Sequence, residues 1–188
     1  MSMNLKRSLV GFLLFSLAAG LGFGLTGCGG KGGDSDPPAV SASFTPDQAS
    51  PGTNTISLNG SVSGGELYLT VQANAVTGTI FGAAFDLAFN PAILTYIDHS
   101  TGGFFEQTGS ATYAVAARSD RLIVGVAAGQ PGAGASGAGG IVTLHFRAQA
   151  AGSSPITFEN HALCSSASTT NCDRQPSLSW YGGTYSSN

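Results

Sequence analysis

The residue types that most often carry catalysis or metal binding are sparse in this chain. Its three histidines, His99, His145 and His161, lie on different predicted elements, without an HxH or HxxxH pair. Such pairs place two imidazoles on one face of an element, where they can share a metal ion. The sequence contains no GxSxG motif and no obvious pair of cleft carboxylates. These features predict no metal, no cofactor and no enzyme activity.

A glycine-rich segment matches the GxGxxG pattern of dinucleotide-binding loops. It reads Gly132-Ala133-Gly134-Ala135-Ser136-Gly137. A dinucleotide site needs a helix directly after this loop. The residues that follow, Ile141-Val142-Thr143-Leu144, predict a strand instead. We therefore expect a flexible hairpin loop here and no nucleotide.

Cys28 is the residue with the clearest chemical role. Residues 1–27 have a positive start at Lys6 and Arg7, an apolar run and small residues up to Gly27, which predicts a signal peptide. Leu25-Thr26-Gly27-Cys28 resembles the lipobox of bacterial lipoproteins. The resemblance implies cleavage before Cys28 and a diacylglycerol on its thiol, which would anchor the chain to a membrane. An ordinary signal peptide with a chance cysteine and an N-terminal membrane helix are the alternatives.

Gly29 follows the lipobox cysteine. By analogy with lipoproteins of two-membrane bacteria, a residue other than Asp at this position favours the outer membrane. We therefore expect the chain at the cell envelope, in the outer membrane or at the cell surface.

Cys164 and Cys172 are the remaining cysteines, eight positions apart in a chain predicted to be exported. Disulfides persist in oxidising compartments, and closing a short loop stabilises a fold by about 2–3 kcal/mol. We expect the two to be bonded; two free thiols are the alternative.

Composition separates a tether from a folded domain. Residues 28–53 are rich in Gly, Ser, Asp and Pro, which predicts a flexible tether, and residues 54–188 are expected to form one domain. The formal net charge is −3, and losing Lys6 and Arg7 with the signal peptide makes it more negative. Such a chain lacks the basic surface that nucleic-acid binding requires.

Apolar residues recur with a period of two from Asn54 onward, and no amphipathic helix stands out. Phe85, Leu87 and Phe89, for example, would share one face of a strand. Asn59-Gly60 is expected to end the first strand. The predicted strands cover residues 56–58, 67–72, 84–89, 93–97, 112–117, 122–127, 142–147, 155–158 and 178–185. Since each apolar sheet face must be covered, the pattern predicts an all-β sandwich or jelly roll.

Three segments resemble the cohesin family, within a match from about Ile56 to Tyr185. They are Gly82–Leu94 with its Asn90-Pro91 turn, Gly140–Ala148 leading through Gly152–Ile156, and Trp180–Thr184. The resemblance implies a nine-stranded jelly-roll sandwich related to carbohydrate-binding modules. It also implies binding to a dockerin, the small calcium-loaded module of secreted polysaccharide-degrading enzymes.

The sequence departs from that family at two positions. Many dockerin-binding cohesins carry an Asn and an Asp on the strand that enters the Asn-Pro turn. The matching positions here are Gly82 and Ala84, whose side chains offer no hydrogen bond. We therefore expect weak or no affinity for an ordinary dockerin.

A protein partner is expected to dock on one sheet face. Small residues would let a partner helix approach closely, and Asp86 with Arg147 would set its register by charge. The alternatives are a solvated face around His145 and an edge charge at Asp86. The predicted partner-binding residues are Ala84, Asp86, Ala88, Thr143, His145 and Arg147.

Carbohydrate binding through exposed aromatic residues is the alternative function, with polysaccharide as the ligand, and a structural envelope protein is a third. Phe104 and Phe105 lie in a predicted loop, where either could stack on a sugar or plug the sandwich. We expect one of them to be a plug. A coplanar aromatic row on a flat face would favour sugar binding. The other candidates are Tyr68, Tyr113, Trp180 and Tyr181.

Overall fold

The computed structural model describes residues 41–129, 132–165 and 178–188, and these residues are almost entirely β-structure. A short 3-10 helix spans Phe105–Thr108. No helix within these ranges is long and apolar enough to cross a bilayer. The strands are β1 (Ala42–Pro46), β2 (Thr55–Ser63), β3 (Glu66–Ile80), β4 (Gly82–Ala88), β5 (Leu94–Thr101), β6 (Ala111–Ala117), β7 (Arg121–Ala128), β8 (Ala135–Ala148), β9 (Gly152–Cys164), β10 (Ser179–Tyr181) and β11 (Gly183–Ser187).

The strands form two sheets that pack face to face, which confirms the all-β jelly-roll sandwich. The six-stranded sheet has the order β1-β11-β9-β4-β7-β6, and the five-stranded sheet has the order β10-β2-β3-β8-β5. Both inner faces are apolar because alternate residues of each strand point inward. Phe89 and Phe146 meet across the sandwich edge-to-face, with ring centroids 5.2 Å apart. The described residues contain eleven strands where the sequence predicted nine.

The folded domain begins earlier than the sequence predicted. β1 lies inside the range assigned to the tether and pairs antiparallel with β11. The ring of Phe44 lies against the backbone at Gly60 and Gly183, where any added Cβ would overlap it. The strand therefore belongs to the domain, which includes Ala42–Pro46 and does not first begin at Asn54. Its short, Ser- and Pro-containing sequence concealed it.

The first predicted turn was also wrong. β2 runs through Asn59-Gly60 and ends at Ser63, and the hairpin turns instead at Gly64-Gly65. Both turn glycines have positive φ, +58° and +81°, which favours glycine. Gly60 is a strand glycine because the Phe44 ring occupies the space of its side chain.

The last predicted strand, residues 178–185, is in fact two strands in different sheets. β10 pairs parallel with β2, whereas β11 pairs antiparallel with β9. The chain changes sheet at Gly182, where a side chain would collide with the carbonyl oxygen of Ile156. Only Gly182 separates the two strands, so they were predicted as one continuous strand.

The GxGxxG segment is only partly a loop. Residues 132–134 are irregular, but β8 already begins at Ala135 and contains the last glycine of the motif, Gly137. The prediction of a loop was therefore wrong for the second half of the motif. A strand follows it, as expected.

Candidate partner-binding face

The six predicted partner-binding residues do not share one face. Phe85 and Leu87 of β4 are buried, so Ala84, Asp86 and Ala88 point outward from the six-stranded sheet. Val142, Leu144 and Phe146 of β8 are buried likewise. Thr143, His145 and Arg147 therefore point outward from the five-stranded sheet, on the opposite side of the sandwich. The prediction of one surface was wrong because alternation shows which residues face outward but not which sheet holds the strand.

Asp86 does not protect a sheet edge either. β4 lies between β9 and β7, in the interior of its sheet. The edge-charge interpretation was therefore wrong.

Small residues form a continuous row across four strands of the six-stranded sheet. Ala84 lies opposite Ala162 of β9 and Gly125 of β7, and Gly125 lies opposite Ala114 of β6. With about 4.8 Å between strands, this small-residue row is about 14 Å long. The space that a side chain at Gly125 would occupy is open. A partner's backbone can therefore come close to the sheet along this row.

Polar side chains border the row on one side, around Arg121. Its guanidinium lies 2.8 Å from Glu159, 3.1 Å from Asp120 and 3.8 Å from Asp86. Asn160 donates a 2.8 Å hydrogen bond to the Asp86 carboxylate. The hydrogen bond from Arg121 lowers the pKa of Asp120. Three carboxylates around one guanidinium leave this Arg121 cluster net negative, which suits a partner with a basic side chain.

Ile123 supplies an exposed apolar side chain on the same face. It lies opposite Asp86 and Ala116, and its exposed fraction is 41%. Ile123, Arg121 and Glu159 are not among the binding residues predicted from the sequence. The alternation of Leu122, Val124 and Val126 does predict that Arg121 and Ile123 point outward. Nothing local indicates that they lie beside Asp86.

The opposite face carries a polar cluster built around His145. The His145 ring lies between two carboxylates, with Nε2 2.7 Å from Glu66 and Nδ1 3.2 Å from Asp98. Tyr68 stacks on it almost in parallel, with centroids 4.4 Å apart. Arg147 donates a 2.7 Å hydrogen bond to Glu66, and this bond is the main cause of the lowered pKa of Glu66.

Thr143 is also engaged on this face, through a 3.0 Å hydrogen bond with Thr70. The three β8 residues predicted to bind a partner thus contact their own domain. Their polar groups are less free to bind a partner than the sequence suggested.

Two of the six aromatic candidates for sugar stacking are buried, three are partly buried and one is exposed. Phe104 and Phe105 are 1% and 0% exposed. Both therefore fill the interior of the sandwich, although only one was expected to do so. Trp180 packs against Phe158, with centroids 5.0 Å apart. The half-buried Tyr113 donates a hydrogen bond to Glu106. Within the described ranges, Tyr68 is the one aromatic residue among the exposed large apolar side chains, so no aromatic row forms there.

The predicted cysteine chemistry lies largely outside the described residues. Cys28 and Cys172 both fall in the ranges that the structure does not describe, and Cys164 ends β9. Acylation of Cys28 and the bond between Cys164 and Cys172 stay predictions. Among the described residues, no group of three or more His, Cys, Asp or Glu side chains could hold a metal ion.

Comparison with known structures shows which proteins share this architecture. A non-cellulosomal cohesin from the archaeon Archaeoglobus fulgidus is 16% identical, and the match covers 70% of this chain and 87% of that one with a TM-score of 0.50. CaCohA2 from Clostridium acetobutylicum is 14% identical over 70% and 88% of the two chains, with a TM-score of 0.54. Because both sequences are less than 25% identical to this chain, the similarity shows a shared fold and nothing more.

A third similar structure comes from a complex. It is an interface mutant of a type II cohesin–X–dockerin complex from Acetivibrio cellulolyticus, 14% identical over 68% and 95% of the two chains, with a TM-score of 0.52. A search of curated proteins gives no match. The family described as cohesin domain matches residues 52–178, well over half of the sequence. The chain therefore belongs to the cohesin family.

Proposed function

We propose that this protein is a lipid-anchored module of the cell envelope that recruits a protein partner through the outer face of its six-stranded sheet. The observation that carries the proposal is the small-residue row with Ile123 and the Arg121 cluster beside it. A sheet face with small, apolar and charged side chains in adjacent rows gives close approach, apolar burial and charge recognition together. No catalytic group is needed for this role, which fits a binding module.

The partner is best described as a helical protein surface with at least one basic side chain. A helix can lie along the small-residue row, and a Lys or Arg on it can reach the net negative Arg121 cluster. In the Acetivibrio complex the cohesin partner is a dockerin. A dockerin-type partner would link this protein to secreted enzymes that degrade polysaccharides.

Ordinary dockerins are expected to bind weakly. A side chain at Gly82 would lie 2.9 Å from the carbonyl oxygen of Val126, so this position has no room for the Asn of many dockerin-binding cohesins. Ala84 offers no polar group. The preferred partner should therefore contact Asp86 and Arg121 instead.

Carbohydrate binding is the second candidate, supported by one observation. Tyr68 is 45% exposed and stacks on His145, on a face that also carries Glu66 and Asp98. One exposed ring gives a single stacking position, whereas long polysaccharides are better held by several. We therefore place this function second.

The anchor completes the proposal. Cleavage before Cys28 and acylation of its thiol would leave a short Gly- and Ser-rich tether ahead of β1. Several acyl chains hold a protein stably at a membrane, whereas one does not. The Gly at position 29 is the basis for proposing the outer membrane.

A pull-down with matched face variants tests the proposed binding. Both sheets and the core lie within the compact unit Pro38–Asn188, so this fragment can be immobilised and exposed to the organism's own secreted proteins. We expect Ala84→Arg to lose the partner that the wild-type fragment retains. Thr143→Arg, the matched change on the opposite face, should retain it. If only Thr143→Arg loses the partner, the binding site lies on the five-stranded sheet. If both variants retain the partner, neither outer sheet face is the binding site.

A further inference from the structure

Open sheets leave edge strands whose backbone groups can pair with another chain, and most proteins block them. The two sheets here have four edges: β1, β6, β10 and β5. β1 has five residues and ends in Pro46, and β10 has only three residues. β5 is interrupted by a bulge between Tyr96 and Asp98 and carries a charge at Asp98. Three edges are therefore short, bulged or charged.

β6 has none of these features. Its seven residues, Ala111–Ala117, include no proline, glycine or charge, and they pair with β7 without a break in register. Thr112, Ala114 and Ala116 are exposed. The described residues supply backbone hydrogen bonds to β6 only through β7. Half of its backbone donors and acceptors thus face outward along an edge with no bulge.

We propose that β6 pairs antiparallel with β6 of a second copy, joining two six-stranded sheets about a two-fold axis at Ala114. Ala114 is the midpoint of the strand, so this register pairs the whole strand with itself. Tyr113 then lies opposite the partner's Val115, and Thr112 opposite the partner's Ala116. Such an isologous contact closes at two copies and does not propagate.

The absence of charge along β6 allows a second copy to pair with this edge. No charged residue lies within β6, so the pairing sets no like charges opposite each other. The first charge after the strand is Arg118, four residues from the axis. At about 3.4 Å per residue, the two copies of Arg118 would be about 27 Å apart, well beyond the screening length of about 8 Å.

Sedimentation equilibrium of the Pro38–Asn188 fragment tests the pairing. We expect a reversible dimer. Ala114→Lys and Ala114→Glu each place like charges opposite each other at the axis and should raise the dissociation constant about tenfold. An equimolar mixture of the two variants should restore the dimer, because Lys then faces Glu.

Thr157→Lys on β9 is the matched control. Thr157 is exposed on the same sheet but three strands from the β6 edge, so the variant should dimerise like the wild type. The proposal is overturned by a fragment that stays monomeric at its solubility limit. It is also overturned if the Lys and Glu variants fail to restore the dimer in the mixture, or if Thr157→Lys disrupts it equally. None of these results depends on the proposed partner.

Discussion

Replacing Phe105 by Ala should strongly destabilise the domain. Phe105 begins the short 3-10 helix and is 0% exposed, and its ring meets that of Phe104 edge-to-face with centroids 5.1 Å apart. Removing a fully buried Phe costs about 3–5 kcal/mol, because apolar burial is lost and a cavity remains. A domain is typically stable by about 5–15 kcal/mol, so this change removes a large share.

Thermal unfolding of the Pro38–Asn188 fragment, followed by circular dichroism, measures this loss. A domain of this size loses about 2–4 °C of Tm per kcal/mol, so a loss of about 3–5 kcal/mol should lower Tm by about 6–20 °C. Tyr68→Ala is the matched control, since Tyr68 is an exposed aromatic residue and should shift Tm by only a few degrees. Equal shifts in the two variants would refute the conclusion that Phe105 plugs the sandwich. They would reopen a surface role for its ring.

The remaining predictions concern ionisation, the anchor and the disulfide. Burial and the hydrogen bond to Glu106 raise the pKa of Tyr113 from 10.0 to about 12, so the stability that Tyr113 contributes should be complete below pH 10 and be lost as pH rises towards 12. In urea titrations Tyr113→Phe should show a smaller alkaline loss than the wild type, because only the contribution of Tyr96 remains, and it should cost about 1–3 kcal/mol at neutral pH. Cys28→Ala should move the protein out of the detergent phase, and identical partitioning of the variant would exclude the lipid anchor. Mass spectrometry of a non-reduced digest should find Cys164 linked to Cys172; thiol labelling of both in native envelope protein would contradict this.

Local pattern was sufficient for much of the fold. The period-two alternation of β4 correctly predicted that Phe85 and Leu87 are buried and that Ala84 and Asp86 point outward. This works because a strand side chain's direction depends on its immediate neighbours. The same reasoning identified the β8 residues that face outward.

Long-range pairing decided what the sequence could not show. β4 lies beside β9, more than sixty residues later, and β8 lies in the other sheet. The single predicted surface was therefore two surfaces. Arg121 and Glu159 are 38 positions apart and meet only through this pairing. Asn59-Gly60 was wrongly predicted as a turn because Gly60 makes room for the ring of Phe44. Phe44 lies on β1, and the local sequence around Gly60 does not show where β1 pairs.

Chemical-shift mapping on the isotopically labelled Pro38–Asn188 fragment tests the binding face most directly, using the partner captured by the pull-down. We expect the largest changes at the amides of Ala84, Asp86 and Gly125, with little change at Thr143 and His145. Changes concentrated on Thr143 and His145, with the six-stranded sheet unaffected, would contradict it.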